Sequence, residues 1–103
     1  MEWTSLTDDV SKPAELRLVG DFDLYNAPRF CRFALDKIES GWPGLLLDLA
    51  GVGYLDSTGV GTIIRIVQAL RKKGAKLRFR GLKGSPRRVL EMSNILPLIE
   101  EVS

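Results

Sequence analysis

The chain has 103 residues, 45% of them apolar, which suits one globular domain over residues 1–103 whose core needs no covalent staples. There is no histidine and Cys31 is the single cysteine, so an internal disulfide is excluded and the commonest general base and metal ligand is missing. The formal charge of +2 hides an asymmetry: residues 1–60 hold five Lys/Arg and ten Asp/Glu, whereas residues 61–103 hold ten and three. No apolar run reaches the roughly 18 residues that a membrane span needs. The start, MEWTSLTDDV, has neither a basic stretch nor an apolar signal core, so a cytoplasmic protein without membrane attachment is expected.

Residues 2–7 are expected to form a short first strand, and residues 8–13 supply turn chemistry. Residues 15–19 alternate, with Leu16 and Leu18 on one face and Glu15, Arg17 and Val19 on the other, the period of a half-buried strand that Gly20 would end or bend. Asn26 is placed to cap a helix with Pro28 in its first turn. Ala27, Phe30, Cys31, Ala34, Leu35 and Ile38 form its apolar stripe, so Cys31 reads as a core residue rather than a reactive thiol. Gly41 and Pro43 stop it.

Residues 45–49 are nearly continuous in apolar character, as in a central strand buried on both faces, and residues 51–54 are expected to turn the chain. Val60, Ile63, Ile64, Val67 and Leu70 mark a second amphipathic helix; Arg71, Lys72 and Lys73 complement its dipole and Gly74 closes it. Leu77 and Phe79 alternate with Lys76, Arg78 and Arg80 in another strand. Ser85 and Pro86 open a third helix that ends near Ser93 and Asn94, and residues 98–102 form a last short strand or turn. The order defines an α/β fold with a mixed, mostly parallel β-sheet and amphipathic helices over at least one face.

Residues 55–61, Leu55-Asp56-Ser57-Thr58-Gly59-Val60-Gly61, join the central strand to the second helix. One reading is purely structural: Asp56, Ser57 or Thr58 caps the helix, and the glycines admit close backbone approach. The segment lacks the Gly-Lys-Ser/Thr ending of a Walker loop and the spacing of a dinucleotide fingerprint. It also fails as a nucleophile elbow, because Leu55 stands where a glycine is needed and no histidine could activate the serine. Ser57 therefore reads as a modified side chain rather than a catalytic one.

Four stretches in order, Gly20-Asp21-Phe22-Asp23, Leu47-Asp48-Leu49, Leu55 through Gly61, and Leu90-Glu91-Met92-Ser93, together resemble the STAS domain of bacterial anti-sigma factor antagonists over roughly residues 15–100. The resemblance implies partner switching. An anti-sigma factor that is also a serine kinase binds the unmodified domain and releases its sigma factor. The kinase phosphorylates Ser57 from ATP, binding is lost, and a serine phosphatase restores the protein. It further implies that Asp21, Asp23, Asp56, Ser57, Thr58 and Gly59 lie on the partner-binding surface and that no cofactor or metal takes part. Thr58 stays open as an alternative acceptor. The family commonly carries one more helix after its last strand, which is left open here.

Two other classes compete. A STAS scaffold of a larger sensory or transport complex would lack the phosphate cycle. A nucleic-acid module would use Lys72, Lys73, Lys76, Arg78, Arg80, Lys83, Arg87 and Arg88, but only Phe79 is interleaved with them as an aromatic. An enzyme has least support, for want of a nucleophile–base pair.

Overall fold

A computed structural model describes residues 1–6 and 12–102. The elements are β1 (Glu2–Ser5), β2 (Ala14–Phe22), α1 (Ala27–Glu39), β3 (Leu45–Leu55), α2 (Ser57–Arg71), β4 (Leu77–Arg80), α3 (Gly84–Met92), a 3₁₀ turn (Leu96–Leu98) and β5 (Glu100–Glu101). They form one five-stranded sheet in the order β1-β2-β3-β4-β5, with β1 antiparallel to β2 and the remaining pairs parallel. The mixed, mostly parallel sheet and the order of elements match the sequence expectation. Of the turn expected at 8–13, residues 8–11 lie outside the described residues, as does Thr7.

Alternation along the strands gives the sheet two unlike faces. On one, Leu16, Leu18, Leu45, Leu47, Leu77 and Phe79 are buried beneath the helices. Helices α1 and α2 pack against each other, and Phe30, Ala34, Ile38, Ile63, Ile66 and Leu70 close the core. Cys31 is buried in the stripe of α1. Ile66 lies outside the expected stripe of α2, yet it is wholly buried. Trp3 from β1 seals one end, with its ring centroid 5.2 Å from that of Phe30.

The second face corrects the expectation that β3 is apolar on both sides. Leu46 is half-buried, and Asp48 is 8% exposed beneath two guanidinium groups. Arg17 Nε and Arg80 Nε stand 3.5 and 3.6 Å from Asp48 Oδ2, and Arg80 Nη1 stands 2.8 Å from Glu15 Oε1. The acidic first half and the basic second half of the chain thus meet across neighbouring strands. Farther along, Arg78 pairs with Glu100 at 3.7 Å and Arg87 with Glu101 at 2.8 Å. The hydrogen bond from Arg87 holds the Glu101 carboxyl below its ordinary value.

Gly20 takes one of its two expected roles, and two boundaries differ from expectation. Gly20 bends β2 without ending it: its φ is +114°, and the register with β3 shifts on either side. Residues 51–54 do not turn the chain but extend β3, pairing Val19 with Gly51, Gly20 with Val52 and Asp21 with Tyr54. Gly51 serves close approach there, since a Cβ would lie 2.9 Å from the Leu18 carbonyl oxygen. At α3 the cap position falls on Lys83, whose side chain makes no cap hydrogen bond, so Ser85 is inside the helix rather than its cap. Only Glu100 and Glu101 of residues 98–102 are strand.

Lys73 lies past the end of α2 and serves the other helix. Its Nζ donates to the carbonyl oxygens of Ile38 (2.7 Å) and Glu39 (3.3 Å) in the last turn of α1, where the Ile38 oxygen also accepts from the Gly41 amide at 3.2 Å. Charge-assisted bonds of this kind contribute about 1.5–3 kcal/mol. Lys73→Met keeps the aliphatic stem and should lower stability by about 1.5 kcal/mol, read as a lower urea midpoint at unchanged m-value.

Candidate functional site

The carboxyl ends of β2 and β3 lie side by side, Phe22 beside Leu55, and each strand runs within a few residues into a helix. At such an edge two helix N-termini and two junction loops converge. Helix α2 begins at Ser57 itself, and Asp56 is its cap, with extended backbone (φ −109°, ψ −174°). Asp56 Oδ1 accepts from the Gly59 amide at 3.0 Å, which satisfies one of the free donors of the first turn. Asp56 Oδ2 accepts from the Leu24 amide at 2.9 Å and ties the β2–α1 loop to the start of α2. Of the three candidate caps in the sequence, the aspartate does the capping.

The loop is built around Asp23. Its Oδ1 accepts from the amides of Tyr25 and Asn26 and from Asn26 Nδ2, each at 3.0 Å. Asn26 occupies the N-cap position of α1, but its side chain does not cap that helix; Nδ2 instead donates to the Asp21 carbonyl oxygen at 3.1 Å and to Asp23. The Asp23 and Asp56 carboxylates are therefore engaged within the chain. The Asp21 side chain is exposed.

Ser57 is exposed, Thr58 is half-buried and Gly59 is buried. Gly59 lies where α2 crosses the end of β2. A Cβ there would press into the Phe22 carbonyl oxygen and stand 2.5 Å from Leu55 Cδ1 and 2.7 Å from Phe22 Cδ1. Thr58 lines a shallow groove of about 360 Å³ between α1 and α2, with Pro28, Cys31, Arg32, Gly61 and Arg65 among its walls. The six residues singled out in the sequence thus gather at one edge of the sheet: Asp21 and Asp23 from one junction, and Asp56 through Gly59 from the other.

Periodicity gives no weight to Leu24 and Tyr25, because they lie between elements, yet they are 59% and 82% exposed beside Asp56. Tyr54, half exposed, is the register partner of Asp21. The signal in the sequence is two adjacent large apolar residues inside a polar junction. Among the described residues no group of three or more His, Cys, Asp and Glu is arranged to hold a metal ion, and no helix is long and apolar enough to cross a membrane.

An exposed serine at the start of a helix, capped by the preceding aspartate at the edge of a mixed sheet, narrows the class of protein. The family model described as STAS domain matches residues 7–103, and the chain belongs to that family. Among curated relatives, the anti-sigma-B factor antagonist of Listeria monocytogenes is 31% identical over 88 residues, covering 84% of this chain and 75% of the relative. Two solved structures share the fold. The anti-sigma factor antagonist SpoIIAA in its unphosphorylated form superposes with a TM-score of 0.77 at 13% identity, covering 99% of this chain and 88% of that one. The Bacillus cell fate determinant SpoIIAA in the phosphorylated form gives 0.76 at 14%, covering 99% and 92%.

Proposed function

We propose that this chain is an anti-sigma factor antagonist of the bacterial cytoplasm, a binding protein rather than an enzyme. It docks on an anti-sigma factor that is also a serine kinase, frees the sigma factor, and is released when Ser57 is phosphorylated. A serine phosphatase returns it to the binding form. The observation that carries this reading is the exposed Ser57 at the first position of α2, beside a cap that already belongs to Asp56. The hydroxyl is accessible to a kinase and is not needed to hold the helix. Support also comes from the names of the curated relatives and from a structural neighbour recorded in both unphosphorylated and phosphorylated forms.

Phosphate on Ser57 adds about −1.5 to −2 charge at neutral pH. It sits at a helix N-terminus, where free amides and the dipole favour an anion, so the fold tolerates it. The cost falls on docking. A partner surface shaped to a small neutral hydroxyl offers the dianion neither room nor a counter-charge, and burying it there costs several kcal/mol. Thr58, half-buried against the groove, is the poorer acceptor. Incubation of the purified chain with the anti-sigma factor kinase of its own organism and ATP should place one phosphate on Ser57 by tandem mass spectrometry. Phosphate on Thr58 or Ser85, or none, overturns the assignment. The basic second half is a weak footing for nucleic acid, since Arg78, Arg80 and Arg87 are held by Glu100, Glu15 with Asp48, and Glu101.

A further inference from the structure

We infer that Leu24, Tyr25 and Tyr54 form the apolar anchor by which this edge of the sheet grips its partner, and that Asp23 and Asp56 are positioning residues that hold the anchor's loop in place. The inference rests on the antagonist reading and adds to it the chemistry of the surface. Seven large hydrophobic side chains among the described residues are exposed; Leu24 and Tyr25 stand in the β2–α1 junction that is tied to Asp56, and Tyr54 lies near the end of β3, three residues before Ser57. Tyr25, at 82% exposure, packs on little of its own chain. Aromatic side chains of this kind dominate binding when they fill a desolvated pocket, because they bring a large contact area for few rotatable bonds.

The loop that carries two of the three is not free to wander. The Leu24 amide is fixed by Asp56, the Tyr25 amide by Asp23, and the following Asn26 by both its backbone and its side chain. An anchor already held in position loses little conformational entropy on docking. The exposed Asp21 carboxylate, in register with Tyr54, supplies the charge beside it. The occupant that fits is a protein face with an apolar cleft rimmed by Arg or Lys. On that view the acidic residues divide their work: Asp21 meets the partner's cation, while Asp23 and Asp56 shape the platform.

The test is calorimetric titration of the purified anti-sigma factor kinase of the same organism into the unmodified chain and its variants, with sedimentation of the chain alone. Tyr25→Ala and Tyr54→Ala should each weaken binding at least 30-fold while circular dichroism and the melting temperature stay put, since both side chains are exposed. Met92→Ala, an equally exposed residue on α3, should bind as the parent does. Asp56→Asn should weaken binding, and Tyr25→Phe should retain most of it. If Tyr25→Ala and Tyr54→Ala bind within threefold of the parent while Ser57→Asp does not bind, the anchor is overturned and the antagonist reading stands. If Ser57→Asp binds as the parent does, the antagonist reading fails and takes the anchor with it. A dimer of the chain alone that dissociates on Tyr25→Ala reassigns the patch to a second copy and likewise overturns the proposal.

Discussion

Gly59→Ala should cost about 3 kcal/mol of stability, and Gly61→Ala, two residues along the same helix, should cost nothing. At position 59 the added methyl is driven into the Phe22 carbonyl oxygen, an atom that cannot retreat freely because it also accepts from the Asp56 amide at 3.4 Å. Phe22 and Leu55, the side chains it meets next, are both buried. Overpacking of this kind costs typically 1–3 kcal/mol, and backbone on one side puts this case at the upper end. For a domain of this size that is a fall of roughly 15 °C in melting temperature. At position 61 a Cβ meets nothing within 4 Å. Alanine there gains about 0.5–1 kcal/mol from helix propensity and from a less free unfolded chain. Thermal melts of the two variants side by side check both signs, and equal losses would refute the argument from close approach.

The second large effect is on binding. Ser57→Asp should weaken association with the kinase by a factor of at least about 100, equivalent to about 2.7 kcal/mol. Ser57→Ala should bind as tightly as the unmodified chain and resist inactivation by ATP. Because Asp56 makes the capping bond to Gly59, neither change removes the cap, and both variants should melt within about 0.5 kcal/mol of the parent. Fluorescence anisotropy with the purified kinase measures the affinities. Equal affinities for Asp and Ser at this position would remove the basis for a charge-driven switch.

What the residues disclosed beforehand, and what they withheld, follows from the range of the forces involved. The stripe of α1, the alternation of Leu16 and Leu18 and the opening of α2 within residues 55–61 are local patterns, and the structure keeps them. The continuation of β3 through Gly51 and Gly53 was hidden because glycines read as a turn until β2 is known to pair alongside and to press on Gly51. The two faces of β3 were hidden for a similar reason. A buried aspartate looks like an interruption until Arg17 and Arg80 arrive from strands on either side. At the candidate site the residue types were visible, but the division of labour was not. Asp21, Asp23 and Asp56 look equivalent as acidic positions, and only the distances show that the last two spend their oxygens on Leu24, Tyr25, Asn26 and Gly59.

The bond from the Leu24 amide to Asp56 spans 32 positions of chain, so serine and loop come together only after β2 has found β3. A short peptide copied from residues 53–62 would display the hydroxyl without its surroundings. On the proposed function, a kinase that docks on the assembled edge would inspect its substrate for completeness: nascent, truncated or heat-damaged copies would offer the acceptor but no foothold, and would neither titrate the kinase nor consume its nucleotide.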